Sequence, residues 1–424
     1  MLRSYKYRIY PNEWQMELIN KTLGCCRLVY NMALETKQYA YKSHGIGLSA
    51  FDLINQLPDL KEGFPFLKVV NAHSLQSSIR NMEKAYINMY KNGFGYPKFK
   101  RKHNRESFQC PDGIRRINFE KSLITLPKIK NIPIVIDRNF NGQIKTVTVC
   151  KTPSGKFYVS VLVDTGADLP KKKTISNSIG IDMGITTFAT LSDGTEIENL
   201  RFYKKQQERL AIAQYKLSLK KKGSNNRGKQ RVRVARIHEK IANQRKDYLH
   251  KWSDAITKQY DTICVENLNI KGMSSTVKPK QDEDGNYLPN GQSAKSGLNK
   301  SILDVGWGMF INMLEYKSSW RGCNFVKVDR FYPSSKTCNN CGNINKDLKL
   351  KDRVWICNTC SKEHLRDENA SKNINIEGVR LLRQKQNEIE NIVQSGRGSS
   401  VEPVGIEAGS SDESSDTCLS NTFC

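Results

Sequence analysis

Three acidic residues stand where a carboxylate could serve phosphodiester chemistry. Asp182 lies in Ile179-Gly-Ile-Asp-Met-Gly184. On a strand, alternation puts the two isoleucines on one side and Asp182 on the other, and the flanking glycines permit close approach. Glu266 ends the mostly apolar run Ile263-Cys-Val-Glu266, so a strand would deliver its carboxylate at the tip. Asp367 precedes Asn369-Ala-Ser-Lys-Asn-Ile374 and should open a helix. Hydrolysis by two Mg²⁺ ions about 3.5–4 Å apart needs such a set, one ion activating water and the other stabilising the leaving oxygen. Singly, each has a plainer reading: a turn at Asp182, a salt-bridged strand end at Glu266, a helix cap at Asp367. Their order and setting favour the shared one.

A second set is formed by sulfur. Cys338-Asn-Asn-Cys341 and Cys357-Asn-Thr-Cys360 are paired Cys-x-x-Cys knuckles with 15 residues between them. Each supplies two thiolates, and an intervening hairpin containing the strand-like Asp352–Ile356 would bring them into a tetrahedral zinc site. With four protein ligands that site is closed, so Zn²⁺ there is expected to be structural.

Several elements must position these groups. Alternation through Tyr5, Tyr7 and Ile9 predicts an N-terminal strand that breaks at Pro11, and Asn12 with Gln15 resembles a capping box. Trp14, Leu18, Thr22, Cys25 and Val29 then recur at helical spacing, as do Leu75, Ile79, Met82 and Tyr86 between Asn71 and Lys91. Exposed Arg80, Lys84 and Lys91 hint at a nucleic-acid face. Beyond Gly95, Tyr96-Pro-Lys-Phe-Lys-Arg-Lys102 interleaves rings with positive charge, a composition suited to stacking and phosphate contact. Short alternating strands to about Val163 include Thr146–Cys150 and Phe157–Val163, and the N-terminal strand should join them in one β domain. Pro170-Lys-Lys-Lys173 reads as a linker.

From Ile175 the pattern becomes α/β, with strands expected at Ser178–Met183, Thr187–Leu191, Thr262–Glu266 and Asn324–Val328. Two long polar helices, about 200–222 and 231–260, lie between the second and third of these. Residues 201–251 hold 17 Lys or Arg against three acids, a net +14. That density points to a phosphate-tracking surface, with Lys204, Lys205, Arg231 and Arg233 as contacts. Met273 to Lys300 reads as a mobile loop. The Ser/Gly-rich segment from about Ser395, with scattered acids, reads as a disordered tail.

Composition agrees. The 424-residue chain carries 68 Lys plus Arg against 42 Asp plus Glu, a net +26, which suits a polyanionic partner and disfavours an enzyme of small metabolites. No signal peptide opens the chain and no apolar run approaches a membrane span, so a cytoplasmic protein with no membrane partner is expected. The 12 cysteines fit a metal site plus buried thiols better than a disulfide framework.

The segments Gly180-Ile-Asp-Met-Gly184, Ile263-Cys-Val-Glu-Asn-Leu268 and Arg366-Asp-Glu-Asn-Ala-Ser-Lys-Asn-Ile374 resemble the three RuvC motifs of the TnpB family of transposon-encoded RNA-guided DNA endonucleases. Tyr332-Pro-Ser-Ser-Lys-Thr-Cys-Asn-Asn-Cys-Gly342 is similar to that family's approach to its zinc ribbon. Gly95-Tyr-Pro-Lys-Phe-Lys100 with Ser107-Phe108 resembles its junction after the helical N-terminal domain. Leu365 replaces an acidic residue often found there in the family, and the catalytic Asp is kept.

The resemblance implies a multidomain α+β protein. A β-barrel wedge (1–10 and 95–170) carries an inserted helical recognition domain (11–94). A ribonuclease-H-like (RuvC) α/β nuclease domain (175–330 and 363–385) follows, bearing the basic helices within 200–260 and an inserted zinc ribbon (331–362), and 395–424 form the tail. It implies Asp182, Glu266 and Asp367 as catalytic Mg²⁺ ligands and structural Zn²⁺ on Cys338, Cys341, Cys357 and Cys360. A guide RNA would pair with a double-stranded DNA target, cut beside a short flanking motif near Gln76, in the cytoplasm of a prokaryotic cell, associated with the nucleoid through DNA. Compact type V CRISPR effectors share this plan, and a transposase acting on DNA ends would share the carboxylates.

Overall fold

The computed structural model describes residues 1–102, 106–111, 116–349 and 351–394. The chain divides into two compact units, Met1–Asp168 with Ala213–Arg236, and Leu169–Ile212 with Ile237 onward. The expected tail lies outside the described residues.

The first unit is built on an antiparallel seven-stranded sheet. Its strands are β1 (Leu2–Ile9), β2 (Glu106–Cys110), β3 (Arg116–Asn118), β4 (Leu123–Leu126), β5 (Ile129–Val135), β6 (Gln143–Lys151) and β7 (Phe157–Asp164), in the order β2-β6-β7-β1-β5-β4-β3. The N-terminal strand thus pairs with β7 and β5. Strict alternation buries Phe157, Val159, Val161 and Val163 along one face of β7. Helices α1 (Glu13–His44), α2 (Ala50–Asn55), α3 (Leu57–Gly63) and α4 (Ala72–Asn92) leave the chain between β1 and β2 and contribute to the same core.

Helix α1 begins with a true capping box: Gln15 N–H donates to Asn12 Oδ1, and Asn12 N–H donates to Gln15 Oε1, each at 2.9 Å. Its buried face runs through Ile19, Leu23, Cys26 and Tyr30 beside Thr22, Cys25 and Val29, while Trp14 is exposed. A first-turn residue can point past the core edge, and Gln15 takes the buried place, donating to Lys130 O. In α4, Leu75, Ile79, Met82 and Tyr86 are all buried.

The second unit has a five-stranded sheet. Its strands β8 (Ser178–Met183), β9 (Thr187–Leu191), β10 (Glu196–Glu198), β11 (Thr262–Glu266) and β14 (Asn324–Val328) lie in the order β10-β9-β8-β11-β14. The first three are antiparallel, and β8, β11 and β14 are parallel. Between β10 and β11 run α5 (Phe202–Ser218) and α6 (Asn225–Gln259), so the first helix ends four residues earlier than expected and the second starts six earlier. Between β11 and β14 come α7 (Ile270–Met273), the small hairpin β12 (Lys280–Gln281) and β13 (Tyr287–Leu288), α8 (Gln292–Val305) and α9 (Trp307–Arg321). The stretch read as loop therefore contains a hairpin and the start of α8, whose Ile302 and Val305 are buried. After β14 come the paired strands β15 (Val354–Ile356) and β16 (Glu363–Leu365), then the long helix α10 (Arg366–Gln394).

The five-stranded sheet has two unlike faces. Ile179, Ile181, Ile263 and Val265 pack with Phe188, Leu249, Ile256, Phe310 and Leu314, residues of β9, α6 and α9. The opposite face receives α10, where Cys264, Val328 and Ile374 form a small core of their own. Among the described residues no helix is long and apolar enough to cross a membrane.

Candidate functional site

The α10 face of the sheet gathers the three carboxylates. Parallel pairing sets Gly180 beside Cys264 and Ile181 beside Val265, so the next residues, Asp182 and Glu266, lie side by side near the ends of neighbouring strands on one face. Two glycines let the helix come down onto them. A Cβ on Gly180 would lie 2.0 Å from Ser371 O, and one on Gly378 would lie 2.3 Å from Cys264 Sγ. Ser371 therefore rests on Gly180, and Asp367 sits one helical turn before it, toward the strand ends that carry Asp182 and Glu266.

Electrostatics records this convergence. Burial, and then the charges of Asp367 and Glu266, push Asp182 up to about 7 against a smaller lowering by Arg366. Glu266 is raised by burial. Asp367 is half-exposed, and Arg353 Nη1 lies 3.3 Å from its Oδ2. The three carboxylates do not all close to within 4.8 Å of one another, and two divalent cations need a wider ligand set than one.

The second ligand set is tight. Cys338 and Cys360 sulfurs are 3.6 Å apart, as are those of Cys341 and Cys357. All four ligand atoms lie within 4.8 Å of one another, the one such group among the described residues. A tetrahedron with Zn–S of about 2.3 Å has edges of about 3.8 Å, so the cluster fits a four-coordinate metal. The amides of Cys360 and Thr359 favour the Cys357 thiolate and bring it down to about 6. The Asn343 amide lowers Cys341, yet desolvation and the neighbouring sulfurs carry it up to about 12. Four thiols so placed cannot all ionise unless a cation shares the charge.

Sequence reasoning missed several neighbours of these sets. His364, buried and paired in register with Trp355, packs tilted against that ring with centroids 4.8 Å apart and brings Nε2 to 3.0 Å from Cys338 Sγ. Burial and then Lys362 and Lys372 lower its pKa, which favours the neutral ring beside the sulfur. Its signal was present: Glu363-His-Leu365 alternates opposite Val354-Trp-Ile356. Arg353, and two buried asparagines of α10, Asn369 and Asn373, were likewise given no role.

The nucleic-acid contacts expected from sequence lie elsewhere. Lys204 and Lys205 are exposed on α5, Arg231 and Arg233 are exposed on α6, and Gln76 is half-buried on α4. The start of α5 is anchored by Asp304, which accepts from Tyr203 N–H at 3.0 Å and from Arg245 Nη2 at 2.7 Å in a buried pair. None of these side chains belongs to either ligand set.

Comparison with known proteins defines the class first. Residues 1–45, 157–277 and 307–374 match families described as "Helix-turn-helix domain", "Probable transposase" and "Cas12f1-like, TNB domain". In this structure residues 1–45 form β1 and the single long α1 rather than two helices about a turn. A "Putative RNA-guided DNA endonuclease" of Streptomyces pristinaespiralis is 35% identical, covering 89% of each chain. The similarly named InsQ of Escherichia coli K12 is 32% identical over 95% of this chain and 98% of its own. A solved Cas12f1–sgRNA–target DNA complex shares the fold, with TM-score 0.53 and 13% identity over 88% of this chain and 98% of that one. The chain belongs to the TnpB family of RNA-guided DNA endonucleases.

Proposed function

We propose that this protein is an RNA-guided, Mg²⁺-dependent DNA endonuclease of a transposable element, cutting with Asp182, Glu266 and Asp367. The observation that carries this reading is the convergence of those carboxylates from β8, β11 and α10, with Asp182 pushed up to about 7 by burial and by the other two. Full-length likeness to relatives named as RNA-guided DNA endonucleases supports the same activity. The "Probable transposase" description covers only residues 157–277, so it weighs less.

In this reading Asp182, Glu266 and Asp367 hold the ions, which when bound supply an activated water and stabilise the leaving oxygen. The chain itself fixes the ligands: β8 and β11 set two of them by register, and α10 sets the third. Cys338, Cys341, Cys357 and Cys360 hold a structural Zn²⁺. The sheet order β10-β9-β8-β11-β14 suits a ribonuclease-H-like (RuvC) domain over 175–330 and 363–385, with a zinc ribbon at 331–362. Helices α1 to α4, lying between β1 and β2, suit a recognition domain (11–94) set into a β-barrel wedge (1–10 and 95–170). Guide RNA and double-stranded DNA would neutralise the basic surfaces, including Lys204, Lys205, Arg231 and Arg233, with Gln76 near the flanking motif. Base pairing would choose the target and protein contacts would read shape. The relatives from Streptomyces pristinaespiralis and Escherichia coli support an activity in the cytoplasm of a prokaryotic cell.

The test is to purify the protein with its RNA, sequence that RNA, and compare Asp182→Ala with the parent on a matching DNA. Cutting should fall by on the order of 10³-fold while guided binding stays unchanged. Retained cutting by the variant would refute the assignment.

A further inference from the structure

Helix α10 is held from two sides. At 100° per residue, Asp367, Ser371, Asn375 and Gly378 fall along one side, and Asn369 and Asn373 fall on the other. The first side lies on the sheet at Gly180 and Cys264. The second faces the chain around Cys338. Asn369 Nδ2 donates to Thr337 O at 2.7 Å and reaches Ser334 O at 3.5 Å, and Asn373 Nδ2 donates to the same two carbonyls at 2.6 and 2.8 Å. Asn339 N–H in turn donates to Asn369 Oδ1 at 3.0 Å. Both side-chain amides are almost fully buried, at 2% and 3% exposure. The residues bonded, Thr337 and Asn339, flank Cys338 directly.

Buried amides are costly unless bonded, and an apolar pair here would leave the carbonyls of Ser334 and Thr337 and the N–H of Asn339 without these partners. What the amides add is register: leucines could slide along the loop, whereas amides aimed at particular carbonyls cannot. We propose that Asn369 and Asn373 are positioning residues that couple the four-cysteine centre to Asp367, fixing the first turn of α10 against the backbone around Cys338. The third carboxylate is thereby set relative to Asp182 and Glu266. This rests on the reading of those carboxylates as ion ligands. A shift of about 1 Å in such a ligand is enough to impair catalysis.

Asn373→Leu, close in shape, removes the donor, and Asn373→Ser is the variant less demanding on packing. Mn²⁺ binding without DNA, followed by electron paramagnetic resonance, reads the carboxylate site apart from activity. Zinc content, guided target binding and the Mg²⁺ dependence of cutting complete the comparison. Both variants should keep zinc and bind target within about twofold of the parent. Mn²⁺ affinity should fall by about 10- to 100-fold, as for other groups that orient metal ligands. The Mg²⁺ concentration for half-maximal cutting should rise in step, with excess Mg²⁺ restoring rate. Unchanged Mn²⁺ affinity and Mg²⁺ dependence, beside a parent that binds and cuts, would overturn the coupling. Zinc, target binding and folding lost together in both variants would also overturn it, leaving general support of the fold. A parent that binds no Mn²⁺ and does not cut would instead refute the nuclease reading beneath it.

Discussion

The two ligand sets of the second unit are separated by little more than the segment from Cys360 to Asp367, yet they are built on opposite principles. The sulfurs are drawn within 4.8 Å, and Cys357 is favoured as thiolate by backbone amides of its own knuckle. The carboxylates come from three separate elements; Asp182 is pushed up to about 7, and burial raises Glu266 as well. A site whose metal only holds structure can be closed around the ion. A site that must admit substrate has to stay open and keep its charge uncomfortable until an ion and a phosphate arrive. On the proposed reading, the fold depends on the metal of the closed set and bears the strain of the open one.

The largest effect should follow from breaking the closed set. Cys357→Ser removes the thiolate most favoured by its surroundings, and structural zinc contributes about 10–16 kcal/mol of apparent binding free energy in small domains. The variant should lose stoichiometric zinc by elemental analysis, and the segment from Tyr332 to Leu365 should become sensitive to protease. A variant with full zinc would show that three ligands suffice, and the contrast between the sets would shrink.

Breaking the open set should do the reverse. Asp182 has a folded pKa raised to about 7, so without metal its contribution to stability is present below the unfolded pKa and lost as pH rises through about 7. In chelator-treated protein, Asp182→Asn should therefore raise the melting temperature at pH 8 and change it little at pH 4. The gain has a ceiling of about 4 kcal/mol, from about 1.4 kcal/mol per pKa unit. Mg²⁺ should stabilise the parent more than the variant. A variant less stable than the parent at pH 8 would mean that Asp182 makes contacts outweighing its repulsion.

Much of this was legible in the sequence, for reasons the structure makes clear. The expected strands Ser178–Met183, Thr187–Leu191, Thr262–Glu266 and Asn324–Val328 are formed with those bounds, because short apolar runs bounded by Gly, Asn and Asp admit few other readings. Spacing alone brought the four cysteines together. What escaped was tertiary. Nothing local says that Gly180 and Gly378 exist to let a helix touch a sheet, or that Asn369 and Asn373 meet carbonyls more than thirty residues earlier in the chain. The start of α8 was hidden by Ser, Gly and Asn, although Leu298, Ile302 and Val305 repeat at helical spacing. Trp14 was assigned to the core by periodicity, but only the fold shows that the core ends one residue later, at Gln15.

The smallest effect, and the sharpest test of the contrast, concerns an ion pair between the segment that joins the knuckles and Asp367. Arg353 lies just before β15, between the knuckles, and its guanidinium reaches Asp367 at 3.3 Å with side chains 60% and 40% exposed. Pairs that open to water contribute about 0.2–1 kcal/mol and weaken with salt. Arg353→Ala should therefore lower stability by less than about 1 kcal/mol in dilute buffer. In about 1 M salt, where the screening length is near 3 Å, most of that difference should vanish. Zinc content should stay at the parent's value, because none of the four sulfurs depends on this contact. Thermal melts of both proteins at the two salt concentrations decide the matter. A salt-independent loss of several kcal/mol would mean that Arg353 builds the hairpin onto α10 much as the asparagines do. Asp367 would then belong to the rigid half of the comparison, and the open set would reduce to Asp182 and Glu266.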